Sequence, residues 1–313
     1  MCRIAYLDYT RGFAILLVIV GHLIQFNFQS GLNNRLFDII YSFHMPLFFF
    51  ISGCARGIYL KSSLTVLDLC KKVYHQFCSL IVPSIVWTIV MPYFFSRQYE
   101  LSVSQISGYW FLNVLFAIVV VWDIFLYINI KKTKKYLYPL MVVVISILFI
   151  VGFKRIPISY FLMYVIGFYF QKYNCLTKLP PIFYSLFFLI FCLFSGYFDY
   201  GETPMGDADR IWLQFPLSIC ASLSLLSFFS MCELKDYKIC AILGLIGRYT
   251  LGIYLCHFFL VRIPFIAEME NGFNLLIQFV GLLSLSLGIA LLCMGIQRVI
   301  KNYPFLHKIM YGK

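Results

Sequence analysis

Two histidines stand inside apolar runs near the start of the chain. His22 lies in LDYTRGFAILLVIVGHLIQFNFQS and His44 in FDIIYSFHMPLFFFISG, both within the stretch from Asp8 to Gly53. Histidine titrates nearer neutrality than any other unperturbed side chain, so it can take a proton from a hydroxyl or carry a transferred group. Asp8 and Arg11, one helical turn apart and able to pair, announce the first run. In a helix the steps from Arg11 to His22 rise about 16 Å. An arginine at a membrane surface therefore puts His22 near the bilayer midplane. His44 follows the turn around Leu32 at about the distance by which His22 precedes it, and so comes to similar depth. An ionisable group held there is costly enough that function is its default explanation. The plainer alternatives are a helix-packing histidine bonded to a neighbouring backbone and, for Asp8 and Arg11, a cap plus a surface anchor.

The elements that position these groups are membrane helices. The chain is 313 residues long, 62% hydrophobic and only 12% charged, with mean hydropathy +0.86. That leaves too little polar surface for a soluble globule. A spanning helix needs about 20 apolar residues. Such runs fall at 12–30, 37–59, 77–95, 108–129, 137–153, 158–171, 181–199, 211–233, 242–266 and 274–296. The fold expected is all-α, a polytopic membrane helix bundle of about ten transmembrane helices, with both termini on one side. The windows 137–153 and 158–171 are the shortest, and Lys154, Arg155 and Pro157 between them also allow one broken pair.

With both termini cytoplasmic, nineteen of the lysines and arginines fall inside and six outside: Arg35, Arg97, Lys154, Arg155, Arg210 and Arg262. This is the positive-inside pattern. It accounts for the net charge of +12 without nucleic acid. It also places the chain as a multi-pass protein of the cytoplasmic (inner) membrane, in contact with membrane lipids. The first run lacks a small-residue cleavage site and leads straight into a second span, so it reads as an uncleaved helix. The eleven cysteines are scattered without a C-x-x-C pair, giving neither a disulfide framework nor a zinc site, and no metal is expected. Residues 1–313 read as a single integral membrane domain with no appended soluble domain.

Several charged stretches have plain readings. Lys131 to Lys135 form a stop-transfer anchor, and Asp123 at its helix end lies within reach of them. The basic, amphipathic connection from Tyr59 to Phe77 lies on the membrane surface or meets an anionic cosubstrate. The acidic loop from Tyr200 to Arg210 is a solvated external connection. His257 falls mid-span in the ninth window, nine positions after Arg248.

Asp8, Arg11, Gly12 and His22, with ten residues between Arg11 and His22, resemble the opening signature of the membrane acyltransferase 3 family. The run FHMPLFFFISG at 43–53 resembles that family's second helix, most closely in the fucose 4-O-acetylase-like branch. Trp110-Phe111-Leu112 and Gly167-Phe168-Tyr169 are similar to its middle motifs, and GRYTLGIYLCH at 247–257 to its closing one. The resemblance covers nearly the whole chain in order. Two departures stand out. Where the family carries arginines ahead of the third-helix proline, this chain has His75, Gln76, Cys78 and Ser79 before Pro83, with Lys71 and Lys72 about a turn upstream. Thr250 replaces the commoner serine and keeps the hydroxyl.

The resemblance implies an acyl-CoA-dependent O-acyltransferase. It would move acetyl from acetyl-CoA, a cosubstrate, to a sugar hydroxyl of a cell-surface polysaccharide or its lipid-linked precursor. On that implication Asp8 orients Arg11, and Arg11, Lys71, Lys72 and Arg56 meet the cofactor phosphates at the cytoplasmic rim. His22 serves either as base or as a transiently acylated nucleophile. His44, Thr250 and His257 hold the substrate or stabilise the oxyanion. The alternative from another class is a transporter or flippase of a glycan or lipid, whose membrane histidines would relay protons. Against it stand the lack of repeat symmetry and of any carboxylate placed away from the helix ends. The topology has a direct test: reporter fusions after Lys134 and Lys313 should read inside and one after Asp207 outside, and an external C-terminus would sink the ten-helix arrangement.

Overall fold

A computed structural model describes residues 4–58, 65–94, 109–130, 158–199, 208–235 and 237–312. The expected span at 137–153, the lysine cluster at 131–135 and most of the acidic loop at 200–210 lie outside the described residues. Every regular element among the described residues is helical. Six are long and apolar enough to cross a membrane: Ala5–Asn27, Arg35–Ile58, Val66–Val90, Trp110–Ile128, Leu213–Lys235 and Leu275–Ile300. Each overlaps one expected window. Lys238–Arg248 with Thr250–Phe259 makes a bent pair, and Pro181–Tyr197 is a shorter apolar helix. The chain is an integral membrane protein.

Contacts divide it into two compact units, Met1–Ile58 with Leu162–Gly295, and Tyr59–Phe161 with Ile296–Lys313. The first is built around α1 (Ala5–Asn27). Residues 14–20 of α1 are consecutive and all buried. A helix covered on every face is a central one. Around it lie α2 (Arg35–Tyr41), α3 (His44–Ile58), α10 (Ala208–Lys235) and, most extensively, α11 (Lys238–Arg248). The Asn34 side chain caps α2 by accepting from the backbone N–H groups of Leu36 at 2.9 Å and Phe37 at 3.3 Å.

Glycines set the closest approaches. A Cβ on Gly12 would run into the Leu243 carbonyl oxygen, and one on Gly247 into that of Asp8. The pairings 12 with 243 and 8 with 247 make α1 and α11 antiparallel. In the same way Gly53 abuts the Tyr164 carbonyl and Gly167 that of Phe50, which docks α3 on α7 (Ile158–Lys172). In lipid, helices associate by such small-residue packing because the tails offer no hydrophobic drive between them.

The window at 242–266 does not form one straight helix as expected. It breaks at Tyr249 by 65°, and α12 (Thr250–Cys256) ends in the 3-10 turn His257–Phe259. His257 therefore sits at a helix end, not mid-span. The Thr250 hydroxyl donates to the Gly247 carbonyl at 2.7 Å, so a carbonyl at the break keeps a partner without a continuous helix.

In the second unit, helix α4 (Val66–Gln76) starts on a capping box made by Thr65 and Asp68. The residues expected as a loop up to Phe77 are thus helical from Val66. The π-turn Phe77–Ile81 carries α4 into α5 (Val82–Phe94), just where Pro83 lacks an N–H to donate. Asp123 is buried and paired, not solvated; the lysines expected within its reach lie outside the described residues. Its Oδ2 lies 3.9 Å from Lys72 Nζ and accepts from Gln76 Nε2 at 3.3 Å. The C-terminal helix α15 (Pro304–Tyr311) docks on α5 where Trp87 Nε1 donates to the Met310 carbonyl at 2.8 Å.

The glycine contacts predict a contrast. Gly247→Ala should destabilise the protein by about 1–3 kcal/mol, the usual cost of overpacking, whereas Gly288→Ala, with nothing within 4 Å of the added methyl, should be silent. Thermal unfolding of the two variants in detergent checks it; equal midpoints would refute the backbone approach.

Candidate active site

The candidate site grows from α1, which carries Asp8, Arg11 and His22 on one run of backbone. At its N-terminal end the buried Asp8 accepts from Arg11 Nη1 through Oδ1 at 3.4 Å. His22 lies closer to the other end. Its ring sits 5.2 Å from that of His257, tilted by 32°. Phe258 lies 4.6 Å from it and Phe26 5.8 Å. His22 Nδ1 lies 3.0 Å from Gln25 Oε1, and with the amide oxygen as acceptor that ring nitrogen is the donor.

The histidine brought against His22 comes from the 3-10 turn that ends α12, 235 positions along the chain. His44 is close enough to interact electrostatically with His22. Its own ring lies 4.5 Å from that of Tyr41, and its Nδ1 donates to the Ile40 carbonyl at 2.8 Å. Thr250, with its hydroxyl on the Gly247 carbonyl, sits at the helix break. Arg56 ends α3, partly buried. Lys71 is exposed and belongs with Lys72 to the second unit, where Asp123 balances the Lys72 charge. Among the described residues no group of three or more His, Cys, Asp or Glu side chains converges as a metal site would require.

Two residues that hold the site were not singled out from sequence. Gln25 orients His22 from one turn away. Asn27 bonds across the fold: its Nδ2 donates to Val261 O at 2.8 Å and its Oδ1 accepts from Ile263 N at 2.7 Å. Both were visible as amides in an apolar run, but nothing local announces a partner more than 230 residues away. Arg262 adds a contact over the Phe26 ring at 5.4 Å. The segment bearing His257 is thereby tied to the end of α1 that bears His22.

Beyond that end, Glu270 of α13 (Glu268–Gly272) accepts from the Gln29 N–H at 2.6 Å and the Ser30 N–H at 2.8 Å. Gln278 holds α13 in turn, donating to the carbonyls of Glu270 at 2.8 Å and Phe273 at 2.9 Å. Burial pushes the Glu270 carboxyl up, but the hydrogen bonds from Ser30 and Gln29 outweigh it and hold it below its ordinary value.

Comparison with known proteins shows the family. The family described as Acyltransferase domain matches residues 4–295. Nodulation protein NolL of Mesorhizobium japonicum is 24% identical over 97% of this chain and 89% of its own length. Nodulation protein NolL of Sinorhizobium fredii is 32% identical over 35% of this chain and 33% of its own. No solved structure matches the chain.

The Glu270 contact makes stability depend on pH. Its folded carboxyl titrates below the ordinary 4.5, so the contribution is whole above that value and is lost as pH falls through the folded one. Thermal midpoints of wild type and Glu270→Gln should differ most above pH 4.5 and converge as pH falls below it; a difference unchanged through acid pH would refute the assignment.

Proposed function

The chain belongs to the acyltransferase domain family, and we propose that it transfers acetyl from acetyl-CoA to a sugar hydroxyl of a cell-surface polysaccharide or its lipid-linked precursor. It does so from the cytoplasmic membrane. The observation that carries this reading is the pair of imidazoles, His22 and His257, 5.2 Å apart at one end of the central helix, with the Asp8–Arg11 pair towards the other.

The alcohol acceptor is essentially un-ionised at neutral pH, so its proton must leave as its oxygen attacks the acyl carbon, whether that carbon is still on the thioester or already on His22. A positioned histidine is worth about 10²–10⁴ in rate for such a step. Gln25 fixes the His22 ring by holding Nδ1, which leaves Nε2 as the reactive nitrogen. Phe26 and Phe258 pack beside the ring and limit water there, which protects the thioester from hydrolysis. Arg11, with its planar guanidinium, suits a phosphate of the donor nucleotide and can meet it bidentately. Asp8 steadies that guanidinium, and Arg56 adds positive charge at the end of α3.

The test is His22→Ala. Acetyl transfer by protein in liposomes should fall by about 10²–10⁴ with thermal stability unchanged, and mass spectrometry of the surface polysaccharide should lose a base-labile increment of one acetyl. A variant keeping more than about a tenth of the rate would refute a catalytic His22.

A further inference from the structure

His257 is buried to 0% exposure, and its Nε2 has no hydrogen-bond partner. Its Nδ1 lies 2.8 Å from the Tyr254 carbonyl and 3.1 Å from that of Ile253. A carbonyl only accepts, so Nδ1 carries the proton and the neutral ring keeps its lone pair on Nε2. A histidine placed for packing alone would use that lone pair; a buried polar atom left without a partner needs an explanation. His22 shows the same pattern, with Nδ1 held by Gln25. Two basic nitrogens are thus offered within one small volume, the rings 5.2 Å apart. A single-step transfer needs only one.

We propose that His257 is a second catalytic base, which takes the proton of the acceptor hydroxyl while His22 carries the acyl group. This rests on the acyl-transfer reading above. In the first half-reaction His22 Nε2 bonds the thioester carbonyl carbon, the C–S bond breaks, and its electron pair leaves on sulfur as the CoA thiolate. In the second the acceptor oxygen bonds the acyl carbon, its proton passes to His257 Nε2, and the breaking C–N bond returns its electrons to His22. His257 then yields that proton to the thiolate, so thioester and alcohol become ester and thiol. The tautomer explains why two rings are needed. Once His22 Nε2 is acylated and its Nδ1 is tied to Gln25, that ring has no lone pair for the acceptor proton.

The half-reactions separate this from the parent reading. Full-length protein in liposomes is given acetyl-CoA alone, then a methyl glycoside or hydroxylamine, whose neutral amine needs no base. His257→Gln should release thiol in the first turnover as wild type does and discharge to hydroxylamine normally, while transfer to the glycoside falls by about 10²–10⁴. His257→Ala, run in parallel, should behave alike. Glycoside transfer within about tenfold of wild type, or loss of thiol release together with transfer in both variants, would overturn the proposal. Wild-type protein that acetylates the glycoside but releases no thiol from acetyl-CoA alone would overturn this proposal and leave the parent reading standing; wild-type protein that transfers acetyl to no acceptor would overturn both.

Discussion

The approach of α1 and α11 at Gly12 and Gly247 is the constraint on which the rest depends. With no side chain at either glycine, each backbone packs onto a carbonyl of the other helix. That contact fixes the register, with residue 8 against 247 and 12 against 243. It also creates a difficulty. In an antiparallel pair, continuing α11 straight on would carry the chain past the N-terminal end of α1, away from His22. The 65° break at Tyr249 redirects it, and the next turns return His257 to the His22 ring. Thr250 makes the break tolerable by taking up a carbonyl there. The closing motif thus does three jobs in eleven residues: contact, turn and the ring that packs against His22.

Bringing two rings together from opposite ends of the chain needs more than one contact, because a 3-10 turn of three residues is weak by itself. Asn27 supplies the missing rigidity, holding the backbone on both sides of Arg262. Glu270 ties the chain beyond it to Gln29 and Ser30. These bonds lie on the connection that follows the site and not within it. Their effect is to keep the His22–His257 spacing narrow against the thermal motion of two helix ends.

The sequence made the membrane bundle legible, since six of the expected windows match helices of spanning length. Asp8, Arg11 and His22 were legible on one helix because 3.6-residue periodicity is local information. The motif glycines were legible as motif but not as reason: only packing shows that Gly12 faces Leu243 and Gly53 faces Tyr164. The ninth window misled because apolar composition continues on both sides of Tyr249, and a change of helix direction leaves no mark in hydropathy. For the same cause His257 was placed mid-span, and counting residues, which put His44 at the depth of His22, said nothing of the ring that packs against His22. Asp123 was legible as a residue that pairs, but not that Lys72 reaches it from another helix.

The face of α1 that joins its two working ends limits how the proposed donor can bind. Arg11, Ile15, Val18 and His22 follow one another at helical spacing, so they share a face. Arg11 and His22 are partly exposed. Ile15 and Val18 between them are covered, at 0% and 2%. A donor whose phosphates sit at Arg11 and whose thioester reaches His22, about 16 Å along the helix, cannot lie along that face while those two side chains stay covered. Either the side chains over them separate, or the acyl arm runs beside α1 and meets His22 from the Gln25 and Phe26 side, where the helix is again partly open. The second route asks nothing of the glycine contacts at Gly12 and Gly247, which cannot open without losing the register that holds His257. On the proposed reading, then, the arm would approach the two histidines obliquely, and the packing that builds the site would also direct the path into it.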